Sequence, residues 1–534
     1  MASFISKLRA ECEKSKLDKS DVKPVRFATD LSVPHHILGP LFREPVPASV
    51  IGLCKDHCLA PLLSGIDWSK WDSAKPQGSW PSTPPTWTSW VERMSNFFDV
   101  KWKAQGIYDA IWLSTVEIAM DKELLMAALS FWCSATNTMV LPFGPAGPTV
   151  LDISAILGTP PSGASVDATL AAHSGRLDMK VLFEMRAADS LKAEDKEASK
   201  EEVHKRFKNF FNYNTLCFHF AGHGQDAIRK GEHEAFLFYW YNKFICCPRS
   251  NKCLVENMPV AEALASGRVL ALSPAILANL FRCLAETTAA EIDPQQSGPL
   301  WLFQLWLQVY FATLRPDLPS FLPTEILGAQ LVSLPVPPHR AEEIFTFFFG
   351  LDTLSDDEFL ICRRRTYPES IRLPTTAWDA ETDLVLRPHW GSFMLSRDLP
   401  LGCEARRASW EVYHPNFTAR QLGYVQGAPV PLLSSRTRLD RGRLSGFLEK
   451  EFKSAERDFE ERCTKFCLKP VEPEVICSDT FGDWWEAYTR DFFGKPVAGI
   501  VTKLFGDRPK KSALAVKSVT QGMFQTFFLQ YSSI

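Results

Sequence analysis

The sequence predicts a mainly α protein, a multi-helix globular body with a minor β component. In many segments apolar side chains recur three and four residues apart, as they do on the buried face of a helix. Runs that alternate as a strand does are short and few. The 534 residues are 46% hydrophobic and 12% aromatic, so the chain can bury a large core and does not have the composition of a disordered protein.

The charge balance favours no partner that would be attracted by the field of the whole protein. The 59 basic and 62 acidic side chains leave a formal net charge of -3. Nucleic acid or an anionic membrane would therefore have to be bound by a local patch. The most apolar helix candidate, Pro299–Leu314, is short for a membrane span and carries Gln304 and Gln308. We predict a central buried helix there, and no membrane partner.

The first residues and the cysteines both indicate an intracellular protein. The N-terminal segment is charged and amphipathic, and it lacks the apolar run and cleavage site of a secretory signal. The 14 cysteines are scattered without the spacing of small disulfide-rich domains. We therefore expect a reducing compartment and no disulfides.

Changes in composition divide the chain into three parts. Residues 1–90 form an N-terminal segment with a Pro- and Trp-rich arm, whose Trp80 and Trp87 we expect to dock on the body. Residues 91–430 form the main helical domain. Residues 431–534 form a C-terminal helical extension packed on that body. An apolar stripe from Leu444 to Phe466 predicts a long helix in this extension, which Pro470 ends.

The stretch "TNTMVLPFGPAGPTVLDISAILGTPPSG" predicts a short hairpin near residues 138–149, followed by a helix with both ends specified. Thr149 is the expected N-cap, with Asp152 three residues later, and Gly158 is the expected stop. Pro142 cannot donate to a ladder, so we expect the extended segment before it to be an edge strand, with the chain turning from Gly144. The glycines lack the spacing of a phosphate-binding loop.

Two further local predictions concern the second half of the chain. Short runs separated by Pro, Gly and Asp predict small strands in about residues 373–430, among them "TDLVLRP" and "SFMLSRD". Earlier, Ser273 and Pro274 precede an apolar helical pattern, as an N-cap and a first helical residue would.

Several of these segments, in this order, together resemble the plant mobile domain family, also called the aminotransferase-like plant mobile domain. They span about residues 98–490 and read "FWCSATNTMVLPFG", "TVLDISAILGTPPSG", "HEAFLFYWYNKFICC", "LSPAILANLFRCL", "GPLWLFQLWLQVYF", "WEVYHPNFTARQLGYVQGAPVPL" and "FGDWWEAY". The resemblance implies a nuclear plant protein of transposon-related ancestry, linked to meristem maintenance and to silencing of transposable elements. It also implies a nuclear protein partner, possibly phosphatase-like, and it supplies no catalytic residues.

The word aminotransferase in the family name prompts a search for a pyridoxal phosphate site. Such a site needs a Schiff-base lysine and a phosphate cup at a helix start. Lys243 lies within an aromatic helix, in "YNKF", with no Gly/Ser-rich loop nearby. We interpret Lys243 as a snorkelling side chain and expect no cofactor and no enzyme activity.

Histidines and cysteines offer weak candidates for a metal site. His219 and His223 are four residues apart and His233 follows, but Phe220 stands where a metalloprotease helix has glutamate. We interpret them as a histidine cluster in a loop. Three groups of cysteines are close in the sequence, namely Cys54 with Cys58, Cys463 with Cys467, and Cys246 with Cys247 and Cys253. Their spacing differs from that of structural zinc knuckles, so we expect core thiols and no metal site.

Residues 405–450 are rich in arginine with aromatics interleaved, as on a nucleic-acid surface. The candidate binding residues are Arg406, Arg407, Arg420, Arg436, Arg438, Arg441 and Arg443. The alternative is a solvated face with the aromatics turned inward, and the near-neutral chain favours it. The leading hypothesis is therefore a non-catalytic nuclear scaffold that binds proteins. A nucleic-acid-binding module of transposon origin is the second hypothesis, and an unrecognised enzyme is the third.

Overall fold

The structure is a computed structural model in which helices dominate, which confirms the predicted mainly α fold with minor β. It describes residues 22–25, 35–39, 41, 68, 71, 78–134, 136–170, 178–194, 196, 199–224, 226–288, 297–317, 327–352, 379–403, 408–430, 449–466 and 475–506. Among these residues no helix is both long and apolar enough to cross a membrane.

The helices in the first half of the described chain mostly bury one face and follow the predicted apolar patterns. They are α1 (Pro85–Ala104), α2 (Tyr108–Leu113), α3 (Lys122–Leu129), α4 (Val150–Leu157), α5 (Met179–Ala193), α6 (Lys200–Asn209), α7 (Tyr213–Phe220) and α8 (Glu232–Trp240). Helix α4 has both predicted ends. The Thr149 hydroxyl accepts from the backbone N–H of Asp152, whose carboxylate accepts from the N–H of Thr149, and Gly158 ends the helix at φ +70°.

The second half contributes the helix at the centre of the protein. Its helices are α9 (Met258–Ala265), α10 (Leu272–Thr287), α11 (Leu300–Tyr310), α12 (Leu327–Leu331), α13 (Ala341–Phe349), α14 (Ala380–Met394), α15 (Glu449–Lys465), α16 (Asp479–Phe493) and α17 (Val497–Phe505). Every residue of α11 is buried, as predicted for the central helix. The Gln304 amide is satisfied there, because it accepts from the N–H of Asp121 and donates to the Ala119 carbonyl.

The β component within the described ranges consists of small antiparallel sheets. Strand β1 (Val22–Val25) pairs with β2 (His35–Leu38), β3 (Trp132–Cys133) with β4 (Thr138–Leu141), β4 with β5 (Gly144–Ala146), and β6 (Arg397–Leu401) with β7 (Ser409–Tyr413). The hairpin near residues 138–149 is confirmed. Its predicted edge position was wrong, because β4 lies between two strands and Pro142 falls in the turn after it. Gly144, expected to begin a turn, begins β5.

The segment "TDLVLRP" was expected to form a strand, and it lies in helix α14 instead. The Asp379 carboxylate accepts from the N–H of Thr382 and caps the helix. One turn on, Asp383 pairs with Arg387. The helix continues through Pro388. In the predicted strand region, β6 and β7 are the described strands.

Helix α10 begins one residue before the predicted N-cap, so that prediction was also wrong. Ala271 is the N-cap, and Ser273 lies inside the first turn. The Ser273 hydroxyl accepts from Ser154 at 2.9 Å and donates to the Thr159 carbonyl at 2.7 Å. This buried contact with the end of α4 uses the hydroxyl that a cap would need.

Aromatic side chains form much of the core, and they hold the Pro- and Trp-rich arm against the body as predicted. Trp87 is fully buried and stacks on Phe236 and Tyr239, with ring centroids 4.8 and 4.6 Å apart. The Trp80 indole donates to the Ile118 carbonyl at 2.8 Å.

Helices α15, α16 and α17 contact the body through their apolar faces. Trp485 of α16 donates to the Leu141 carbonyl at 3.0 Å, and Phe505 of α17 packs on Phe345. On the predicted stripe of α15, Phe452, Cys463 and Phe466 are buried. The part of that stripe before residue 449 lies outside the described residues. The boundaries of the three-part division stay a prediction.

Candidate functional site

Of the seven candidate arginines, Arg420 lies within the described residues, and it is in the core. Its side chain donates to the Phe143 carbonyl at 2.7 Å, and its guanidinium lies 5.3 Å from the centre of the Phe481 ring. Burial lowers the pKa of Arg420 to about 10, so it stays charged at neutral pH. Because only 7% of Arg420 is exposed, it joins the β4–β5 turn to α16 and does not present a surface to a phosphate backbone.

The other six candidates, Arg406, Arg407, Arg436, Arg438, Arg441 and Arg443, lie outside the described residues. The interleaved aromatics can be placed, because Trp410, Tyr413, Phe417 and Tyr424 are all buried. They therefore do not offer stacking platforms for bases.

Lys243 is buried, so the predicted snorkelling side chain was wrong. It lies in a π-helical turn, Tyr241–Cys246, that continues α8. Its ammonium nitrogen is 5.0 Å from the centre of the Tyr213 ring and 5.7 Å from that of Tyr239, as in a cation–π contact. Burial lowers the pKa of Lys243, against the opposing effect of Cys217. Its amine thus has an aromatic environment inside the core.

The three histidines do not form a cluster in one loop, contrary to the interpretation from the sequence. His219 lies on α7, His233 on α8, and His223 between the two helices. His233 stacks on Phe98 at 3.7 Å, and its Nε2 accepts from the Trp102 indole at 3.1 Å. Burial lowers the pKa of His233 to about 3, so the ring is neutral at physiological pH. In the described ranges no group of three or more His, Cys, Asp or Glu side chains could hold a metal ion.

A buried ion pair between Arg93 of α1 and Glu232 of α8 escaped the sequence analysis. The two side chains meet at 2.9 Å, and Glu232 is fully buried. Burial would raise the pKa of Glu232, but hydrogen bonds from Arg93 and from the N–H groups of Arg229 and Gly222 lower it overall. Arg93 also donates to the carbonyls of residues 224 and 226. The pair holds the 222–231 loop in place. Its two residues are 139 apart in the sequence, so no local sequence pattern indicates that they meet.

A groove of about 860 Å³ lies between α14, α15 and the β6–β7 hairpin. Its apolar wall includes Val166, Pro274, Pro388, Trp410, Phe452 and Phe459. Its charged lining consists of Arg387, Arg397, Arg462, Asp167, Asp398, Glu456, Asp458 and Glu460. The volume falls within the usual range for ligand pockets, roughly 300–1,000 Å³.

Arg397, at the start of β6, has an unusual environment in this groove. Its guanidinium lies 3.7 Å from the centre of the Phe459 ring, and its Nη2 donates to the Ser392 hydroxyl at 2.7 Å. Its Nε is buried without an acceptor. Among the residues that the structure describes, no carboxylate lies within salt-bridge distance of it. Burial lowers the pKa of Arg397 to about 10, and the positive charge of Arg462 also lowers it.

The other two groove arginines hold the surrounding elements together. Arg387 pairs with Asp383 on its own helix and donates to the Thr464 carbonyl of α15 at 3.2 Å. Arg462 of α15 donates to the Ser396 carbonyl at 2.8 Å. Both therefore connect α15 to the α14–β6 segment and fix the walls of the groove.

Comparison with known proteins gives one match. A family model described as plant mobile domain matches residues 106–486, which extend from just before α2 into α16. The matched region contains the groove. No curated protein and no solved structure matches the chain.

Proposed function

The chain belongs to the plant mobile domain family, and from this premise we propose that it is a non-catalytic nuclear scaffold that binds other proteins. Its expected roles are meristem maintenance and silencing of transposable elements, with a nuclear protein partner that is possibly phosphatase-like. The observation that supports the absence of catalysis in this proposal is where the polar side chains lie and what they contact. Glu232 and His233 lie on α8, Lys243 lies in its π-helical continuation, and Arg420 lies on another element. Each of the four makes its own separate core contacts.

Exposed apolar side chains on the described surface are the natural places for a partner to bind. Val100 of α1 is 83% exposed, Phe218 of α7 is 80% exposed and Leu384 of α14 is 71% exposed. Side chains of this kind gain most when a partner removes them from water. Replacing each with aspartate changes the surface and leaves the core unaltered.

The scaffold proposal is tested by quantitative capture from plant nuclei with the full chain as bait. We expect one or more nuclear proteins to be enriched reproducibly over an unrelated nuclear bait. At least one of the variants Val100→Asp, Phe218→Asp and Leu384→Asp should lower that enrichment about tenfold, the effect of a modest hot spot. The matched control is Lys205→Glu, a charge change on the exposed α6. Failure to enrich any protein in repeated captures would overturn the proposal.

The non-catalytic part has its own test at Lys243. Pyridoxal phosphate added to the purified full chain should give no imine absorbance, because the amine is packed over Tyr213 and Tyr239. An imine band that disappears in Lys243→Met, a variant of similar length, would show a cofactor lysine and contradict the proposal.

A further inference from the structure

We propose that the groove between α14 and α15 binds a small oxyanion, a phosphate or a carboxylate, carried on an apolar group, with the guanidinium of Arg397 as its anchor. This inference does not depend on the proposed scaffold function. It follows from the hydrogen bonds that Arg397 lacks, from the charges around it and from the aromatic wall beside it.

The first step concerns the donors of Arg397. A guanidinium has five N–H donors, and a desolvated one is costly unless acceptors or a counter-charge surround it. Here the Ser392 hydroxyl takes one donor at 2.7 Å, and the Phe459 ring covers one face. The Nη1 group has no acceptor among the described residues and is not enclosed, so it can donate into the groove. An oxyanion would supply both the acceptor and the counter-charge.

The second step concerns the other charges that line the groove. Asp398, Glu456 and Asp458 line the groove, but they already take part in polar or electrostatic contacts. Asp167 accepts from the N–H of Thr169 at 2.7 Å. Arg397 has no such carboxylate partner within the described ranges, and Arg462 adds a second positive charge near it. Glu460 lines the groove as well, so its carboxylates outnumber its arginines, and the positive charge that lacks a carboxylate partner among the described residues is local to Arg397.

The third step concerns the apolar wall. Trp410 and Phe452 stack with ring centroids 4.6 Å apart, and Phe459 continues the wall along α15 to Arg397. Trp410 and Phe452 are buried, and Phe459 is half-buried, so Phe459 is the ring of this wall that a ligand can cover. A bare phosphate would occupy a small part of about 860 Å³. A ligand with an aromatic or aliphatic body beside its oxyanion would pack on Phe459 and remove apolar area from water.

The test uses three probes on the full chain, namely phenyl phosphate, phenylacetate and inorganic phosphate. Isothermal titration calorimetry measures each dissociation constant. We expect at least one aromatic oxyanion to bind about tenfold more tightly than inorganic phosphate, because only the aromatic probes reach the wall. The preference between phenyl phosphate and phenylacetate then identifies the natural oxyanion as a phosphate or a carboxylate.

Variants locate the site. Arg397→Gln should weaken binding of the aromatic oxyanion at least tenfold. Arg457→Gln removes an exposed arginine of α15 that does not line the groove, so it should leave binding unchanged. If Arg397→Gln fails to fold, Ala455→Phe narrows the groove from α15 and should weaken binding instead.

Three results would overturn the inference. One is the absence of binding of every probe to the wild-type chain. Another is binding that the folded groove variants leave unchanged. The third is equal affinity for inorganic phosphate and both aromatic probes, which would remove the role of the apolar wall at Phe459.

Discussion

Removal of the Arg93 guanidinium, with its aliphatic stem kept, tests the account of the buried ion pair. Arg93→Met leaves the Glu232 carboxylate fully buried, with the Trp90 indole and the N–H groups of Gly222 and Arg229 as its remaining donors. Breaking a buried pair on one side costs about 3–5 kcal/mol, because the remaining charge is uncompensated. The carbonyls of residues 224 and 226 also lose a donor. We therefore expect a loss near the upper end of that range.

The measurement is urea unfolding followed by tryptophan fluorescence, with wild type and variants compared at pH 7. Glu232→Gln alone should also destabilise the chain, since it leaves Arg93 charged and unpaired. The double variant Arg93→Met with Glu232→Gln should cost at least about 1 kcal/mol less than the sum of the single variants. A loss below about 1 kcal/mol for Arg93→Met, or strict additivity, would show that the pair does not hold the 222–231 loop.

Three further predictions use other contacts. His233 has a pKa of about 3 in the folded chain against an ordinary value of 6.5, so its stabilisation is complete above pH 6.5 and is lost as pH falls towards 3. Between pH 7 and pH 5 the wild type should lose about 2 kcal/mol more in urea unfolding than His233→Gln, and equal losses would contradict the buried neutral ring. Gly391→Ala places a Cβ 2.7 Å from the Cys463 sulfur, so it should cost about 1–3 kcal/mol, and adding Cys463→Ala should recover most of that loss in the same assay. The full chain should show no measurable affinity for duplex DNA in a binding assay at about 0.05 M salt, whereas affinity that falls steeply towards about 0.2 M would favour the Arg-rich segment 405–450.

Local signals were sufficient where a contact joins residues close in the sequence. Both ends of α4 could be predicted, because Thr149 and Asp152 form a capping box at its start and Gly158 takes the left-handed conformation at its end. The same reasoning failed for α14, where short runs separated by Pro, Gly and Asp predict strands, whereas Asp379 caps a helix that continues through Pro388. A proline inside a helix removes one hydrogen bond, but the helix does not end there.

Contacts across large sequence separations could not be predicted. The middle position of β4 escaped prediction for another reason, because the residues that pair back onto it, Trp132 and Cys133, form a two-residue strand with no pattern of its own. Arg420 was predicted to be a surface charge, because no local sequence pattern indicates that its acceptor is the carbonyl of Phe143, 277 residues away. The groove has the same origin, since it forms only where α14 and α15 meet.

Two buried arginines, compared with the half-buried Arg397, show why the groove is the part of the described structure most suited to a ligand. Arg93 is balanced by the Glu232 carboxylate at 2.9 Å. Arg420 contacts the Phe143 carbonyl and two rings, and these partners fix a turn of the core. Arg397 has one hydroxyl and one ring, and it faces open volume. Arg93 and Arg420 are thus held by partners inside the fold, and Arg397 has a donor that faces the groove.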